Sequence, residues 1–280
     1  MRPGDLDSRR FAIFRKLGVG TPLITSKANS QIKKAKALLR RSGREKWGQF
    51  LVEGVRLTEE AVGCAAVEVL YYTAKLLDTV RGEELLTAAR ARGIPIVECS
   101  EQVLAEMSDT VTPQGVVAVV NKPAWDFAPT GLIAVADELQ DPGNLGTLFR
   151  TALAAGAAGL VLTPGCADPY NSKVVRASMG AVLKLPHWEM GVEEIAGMAE
   201  AAVFQLVVAD LVDSQDYFAV RFAPNVALVI GNEAHGPSAR LREKAHVRVK
   251  IPLFGPMESL NASVAAGILL YEVARQHRYG

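Results

Sequence analysis

Residues 251–272 read IPLFGPMESLNASVAAGILLYE, and three changes of pattern within them decide the fold. Just upstream, Val247, Val249 and Ile251 alternate with His246, Arg248 and Lys250, the period of a strand that buries one face. Pro252 removes a backbone donor and stops the ladder. Gly255 and Pro256 then mark a loop. From Ser259 the spacing turns helical, with Leu260, Val264, Gly267, Ile268 and Tyr271 on one face. Glu258, Ser259 and Asn261 gather at this helix start, where unpaired backbone N–H groups collect. An N-cap accounts for Ser259 alone. A Gly/Pro loop, a polar cluster and a run of small residues (Ala262, Ser263, Ala265, Ala266, Gly267) together point to something that docks there.

Working outward, the second half of the chain alternates strand and helix. Leu132–Ala136 reads as a strand and leads into DELQDPGNLGTLFRTALAAGA, where Pro142, Gly143 and Gly146 bracket Asn144 in a tight strand-to-helix turn. Leu145, Leu148, Phe149, Ala152 and Leu153 form the buried face of the helix, and Arg150 is one of its few long polar side chains. Further strands are expected at 159–162, 204–209 and 226–230, with helices over 171–179 and 192–202. Strand 226–230 runs into GNEAHGPS, whose two glycines allow close backbone approach and whose Glu233 sits at a strand's carboxyl end. Such alternation implies a parallel α/β sheet, and these sheets place ligands beyond the carboxyl ends of their strands. Neither the dinucleotide fingerprint nor a P-loop occurs. His235, a loop histidine beside glycine, reads as an exposed or supporting residue.

The first half reads as a smaller α/β module. Strands are expected at 50–54, 67–72, 94–97 and 116–120, and helices at 57–62, 83–91 and 101–107. A helical stripe over Ser30–Leu39 is formed by Ile32, Ala35, Leu38 and Leu39. Between Lys27 and Lys46 eight bases face one acid, Glu45, a pattern common on nucleic-acid surfaces. Residues 1–20 read as a flexible tail, 21–120 as a domain and 131–280 as a second. The linker, 121–130, carries Trp125 and Phe127, which should pack on one domain. The net charge of +1 predicts no polyanion partner by itself. No apolar run has transmembrane length and the N-terminus has no secretory pattern. Cys64, Cys99 and Cys166 are scattered and read as reduced core thiols of a cytoplasmic protein, and no metal is expected.

DPGNLGTLFRTA, IGNEAHG and IPLFGPMESLNASVAAGILLYE, in this order, closely resemble the three motifs of the SpoU (TrmH-type) family of RNA 2′-O-ribose methyltransferases, within the SPOUT superfamily. The first half, with ITSKANSQIKKAKALLRR, FLVEG and VTPQGVVAVV, resembles the substrate-binding domain of the ribosomal-RNA members, a module similar to kink-turn-binding ribosomal proteins. The resemblance implies a parallel sheet ending in a deep trefoil knot, a homodimer, and S-adenosylmethionine as cofactor. It implies methyl transfer to a ribose 2′-OH of RNA, with 23S ribosomal RNA the expected substrate. A tRNA enzyme of the same family and a non-catalytic RNA-binding protein are the alternatives. Gly231, Ile251 and Leu260 match the cofactor-holding positions, and Asn144, Arg150, Glu233, Ser259 and Asn261 match the catalytic ones. In this scheme Asn144 and Asn261 hold Arg150 or the ribose, Glu233 orients Arg150 or nearby loop groups, and Ser259 caps the helix. Lys27, Lys33, Lys34, Arg40, Arg41 and Arg44 are the expected RNA-binding cations. Ala234 departs from the pattern where many members have Gly, so the second loop is expected to take a slightly different path.

Overall fold

Short runs such as VALVI and LIAVA, bounded by Gly, Pro or Asn, are too apolar for a strand with a wet face. They lie at the centre of a parallel sheet in a computed structural model that describes residues 23–201 and 203–280. The tail expected over 1–20 lies outside the described residues. The chain divides into two units, Met1–Pro123 and Ala124–Gly280.

The first unit runs α1 (Ser30–Ala37), α2 (Arg41–Trp47), β1 (Gln49–Glu53), α3 (Val55–Cys64), β2 (Val67–Tyr72), α4 (Val80–Ala91), β3 (Ile96–Glu98), α5 (Glu101–Ala105) and β4 (Val116–Asn121). Its sheet has the order β1-β4-β2-β3, with β4 antiparallel to both neighbours and β2 parallel to β3. The two-residue period of the strands builds a core on each face. Tyr71, Val117 and Val119 pack with Ile32, Ala35 and Leu38, while Leu70, Tyr72 and Val116 pack with Leu85 and Leu86.

The basic stretch is two helices with a break at Leu38–Arg40. Arg44 closes that break. Its guanidinium is buried, 3% exposed, and Nη1 donates to the carbonyls of Leu38 and Leu39, both at 2.9 Å. This corrects the expectation for Arg44, whose charge satisfies the end of α1 and does not face solvent.

The second unit runs β5 (Leu132–Ala136), α6 (Pro142–Ala155), β6 (Gly159–Leu162), α7 (Ser172–Ala177), β7 (His187–Glu189), α8 (Val192–Glu200), β8 (Gln205–Ala209), β9 (Gln215–Asp216), β10 (Val226–Ile230), α9 (Ala239–Lys244), β11 (Val247–Lys250) and α10 (Ala262–Tyr279). All pairings in its sheet, β7-β6-β5-β10-β8-β11-β9, are parallel. Ile133, Val135, Leu206, Val208 and Val229 form a core with Ile195 and Leu241, and α10 packs on α6, β5 and β10. The linker aromatics pack on this unit: Trp188 Nε1 donates to the Trp125 carbonyl at 3.1 Å, and Phe127 meets Trp188 edge-on at 4.8 Å.

Three local expectations change. Helix α10 begins at Ala262, three residues late, because Asn261 is its N-cap and Ser259 is not. Its buried residues are Ala266, Leu269, Leu270 and Val273, whereas Val264 and Tyr271 of the expected face are about half exposed. Helix α6 begins at Pro142 with Asp141 as cap, so Asn144 lies in its first turn. Of the cysteines, Cys99 is buried and Cys166 half-buried, but Cys64 is exposed and is no core thiol. Among the described residues no helix is long and apolar enough to cross a membrane.

Candidate functional site

Strands β5, β10, β8 and β11 lie side by side, so the loops at their carboxyl ends gather along one edge of the sheet. Three of these loops, after β8, β10 and β11, line a cleft of ≈ 690 Å³. Gly231 and Glu233 enter it from the loop after β10, and Ile251, Ser259, Leu260 and Asn261 from the loop after β11. The cleft thus brings together all three residues expected to hold a cofactor and three of the five expected in catalysis.

Asn144 is tied to that cleft by hydrogen bonds. Asn261 Oδ1 caps α10, accepting from Ser263 N at 3.0 Å and Val264 N at 3.3 Å. Its Nδ2 therefore points outward, and donates to Asn144 Oδ1 at 2.9 Å. Asn144 Nδ2 in turn donates to Glu233 Oε1 at 2.7 Å. Both amide orientations follow from chemistry: backbone N–H groups need an oxygen, and a carboxylate only accepts. One chain of side chains, Asn261 to Asn144 to Glu233, joins three segments far apart in sequence. Glu233 pairs with Asn144 and not with Arg150. Arg150 is exposed, has no hydrogen-bond or ion partner among the described residues, and is not in the cleft lining. Six residues separate it from Asn144, about 9 Å along the axis and about 120° around it, so the two side chains leave α6 in different directions.

The loop after β10 is held from within. A Cβ on Gly231 would lie 2.1 Å from Pro237 N, so only glycine lets the returning chain pass. Asn232 Oδ1 accepts from Ala234 N at 2.8 Å and His235 N at 3.3 Å, and its Nδ2 donates to the Glu138 carbonyl at 2.8 Å. The left-handed position of the loop is Gly236, φ +69°, and not Ala234. Ala234 itself needs no positive φ. His235 lies exposed in the cleft wall.

Sequence reasoning missed two anchors of this region. Asp137 is buried, 1% exposed, and its Oδ2 accepts from Ser238 N at 2.6 Å while Oδ1 accepts from Thr163 Oγ1 at 3.2 Å. It pins the strand ends of β5 and β6 to the loop after β10. Asp210 and Arg242 form an ion pair at 2.8 Å in the cleft, and Arg242 Nη2 also donates to the His235 carbonyl at 3.2 Å. An acid directly following a buried strand was the available signal for both Asp137 and Asp210.

In the first unit, Lys33 and Arg40 are exposed and have no ion partner among the described residues. Arg41 pairs with Glu45 at 2.7 Å. Lys27 meets Glu106 at 2.5 Å, and Lys36 bonds the same carboxylate, so first Lys27 and then Lys36 hold Glu106 down to about 2. Lys34 Nζ lies 4.8 Å and Lys46 Nζ 5.2 Å from the Trp47 ring centroid.

Residues 131–271 match the SpoU rRNA Methylase family, and residues 29–118 match the MRM3-like substrate binding domain. The chain is 33% identical over 252 residues to the 23S rRNA (guanosine(2553)-2′-O)-methyltransferase RlmP of Bacillus subtilis, covering 89% of this chain and 98% of that protein. It is 34% identical over 282 residues to the 23S rRNA (uridine(2479)-2′-O)-methyltransferase of Streptomyces viridochromogenes, covering 95% and 97%. Its structure resembles that of the AdoMet-bound rRNA methyltransferase from Sinorhizobium meliloti, with a TM-score of 0.80 at 31% identity over 93% of this chain and 99% of the other.

Proposed function

This chain belongs to the SpoU rRNA methylase family, and from that premise we propose that it transfers a methyl group from S-adenosylmethionine to a ribose 2′-OH of 23S ribosomal RNA. The observation that carries the reading is the Asn261–Asn144–Glu233 chain at the edge of a cleft walled by Gly231, Ile251 and Leu260. Relatives of similar identity act on a guanosine and on a uridine of 23S rRNA, so the base identity is not part of the proposal.

The cleft fits the cofactor by its construction. Gly231 keeps the wall thin where a Cβ would collide with Pro237, Ile251 and Leu260 offer apolar surface, and backbone groups of the loops supply polar contacts. When bound, the cofactor supplies a sulfonium methyl that is already electrophilic. The protein's share is orientation, which contributes several kcal/mol to such reactions. Asn144, Glu233 and Asn261 fix the rim, and Ser259 touches the site from the loop before the cap. Arg150 grips an RNA phosphate or stabilises the developing alkoxide. It does not take the proton, since a guanidinium stays charged in proteins, and the 2′-OH proton leaves to water or a phosphate oxygen.

The trefoil knot, the kink-turn-like character of the first unit, the domain limits at 21–120 and 131–280, a cytoplasmic site of action and the homodimer belong to the same proposal. The outward face of α10, with Val264, Ile268 and Tyr271, supports the dimer. So does the exposure of Arg150, which a second copy would bring to use. Lys27, Lys33, Lys34, Arg40 and Arg41 remain the RNA-gripping cations.

The test is transfer of tritiated methyl from S-adenosylmethionine to unmodified 23S rRNA and to bulk tRNA, with nuclease digestion to the nucleoside. A 2′-O-methyl nucleoside from 23S rRNA is expected. Label on tRNA alone favours the other branch of the family, and RNA binding without label leaves only a binding protein.

A further inference from the structure

We propose that Trp47 is a stacking platform for an unpaired RNA base, with Lys33, Lys34, Arg40 and Lys46 holding the adjoining phosphates. The inference rests on the reading of RNA as substrate and adds a nucleotide site on the first unit. Trp47 is the last residue of α2, and Gly48, in the left-handed region at φ 61°, turns the chain into β1. The ring therefore stays at the surface, 44% exposed, on a groove of ≈ 620 Å³. That groove is lined by Lys33, Lys36, Arg40, Lys46 and Trp47 among others, and by no acidic residue.

Lysines over an indole are ordinary on a solvated surface. Two observations separate this cluster from one. Several exposed cations of this protein pair with nearby carboxylates, as in Arg41–Glu45, Arg240–Glu193 and Arg275–Glu272. Here Lys33 and Arg40 have no such partner among the described residues, and Lys34 and Lys46 have only the ring. Unneutralised cations beside an exposed π-face are the composition of a single-strand site, in which the strand's phosphates meet the cations and a base meets the ring. A base stacks more strongly on an indole than an exposed ammonium does, so it displaces a lysine from the ring towards the phosphates. A base inside a duplex is stacked on both faces and has none to offer, so the site selects unpaired RNA.

The experiment compares the full chain with Trp47→Ala and Trp47→Phe, titrating a labelled ten-nucleotide oligouridylate and an RNA duplex of equal length. Trp47→Ala weakens the single strand by about 10-fold, Trp47→Phe largely restores it, and the duplex changes little. Oligouridylate also quenches tryptophan fluorescence in the wild type more than in Trp47→Phe, where Trp125 and Trp188 remain. Equal single-strand affinity of Trp47→Ala and wild type, at matched thermal midpoints, overturns the proposal and leaves a protein surface as the occupant. So does equal quenching in wild type and Trp47→Phe. The assay is independent of methyl transfer: a chain that labels no rRNA yet loses single-strand binding with Trp47→Ala defeats the proposed function and spares this site.

Discussion

The rim of the cleft and the basic helices of the first unit are both polar, but they treat their polar atoms in opposite ways. At the rim, Asn144, Asn261 and Glu233 bond to one another, and behind them Asp137 is occupied by Ser238 and Thr163. On α1 and at the start of α2, Lys33 and Arg40 reach solvent with no ion partner among the described residues. A reacting centre gains from groups fixed in advance, whereas a phosphate grip tolerates many geometries and gains from charge alone. Arg150 is an exception to the rim it adjoins, an open cation on the helix that carries Asn144.

That exception makes the sharpest break. Arg150→Ala should lower methyl transfer by on the order of 10²- to 10³-fold, the usual cost of a lost charge-stabilising donor, while cofactor affinity by calorimetry holds. Near-normal turnover would return Arg150 to the ordinary surface cations. Asn144→Ala comes next. It deprives Asn261 Nδ2 and Glu233 Oε1 of partners, and because water reaches both, stability should change by less than about 1 kcal/mol. Turnover should still fall by roughly 10-fold through poorer orientation. A variant that melts early instead would make the network a structural brace.

The first unit responds to salt. Removing Lys33 and Arg40 together should lower the slope of log affinity against log salt by about 0.7–0.9 for each phosphate they neutralise, with kcat at saturating RNA unchanged. An unaltered slope would place the phosphates elsewhere. The smallest effect is set by burial. His187 is 8% exposed, its Nδ1 lies 2.9 Å from the Leu185 carbonyl and its Nε2 2.9 Å from the Tyr170 hydroxyl. The carbonyl can only accept, so Nδ1 carries the proton and Nε2 accepts from Tyr170. Burial pushes its pKa below the ordinary 6.5. The unfolded chain therefore takes up a proton first as pH falls. The stability contributed is full above about 6.5, declines below it and levels off under the folded value. The thermal midpoint should drop modestly between pH 7 and 5, and His187→Gln should flatten that slope.

What the sequence disclosed depended on how far each interaction reaches. The buried runs 132–136 and 226–230 were legible because a strand with no wet face leaves no polar position. The start of α10 was not, since Ser259 and Asn261 are both capping residues and only the bonds to Ser263 and Val264 decide between them. The break between α1 and α2 has no Pro or Gly to announce it and is closed by the buried side chain of Arg44. Asp137 was passed over because the amide it receives, Ser238, lies 101 residues away. Edge strands β7 and β9 are three and two residues long, too short for any period to register. The family motifs located the loops. They could not show that Asn144 serves Glu233 in place of Arg150.

Helices α6 and α10 touch along their lengths, Gly267 facing Thr151, and are latched at one end by Asn261 and Asn144. Their relative register is therefore also a measure of how the rim is set. A bulky side chain at position 267 would wedge the pair apart near its middle, and the disturbance would surface at the latch. A lesion there would present as a sluggish enzyme with an intact pocket, although the altered residue meets neither substrate.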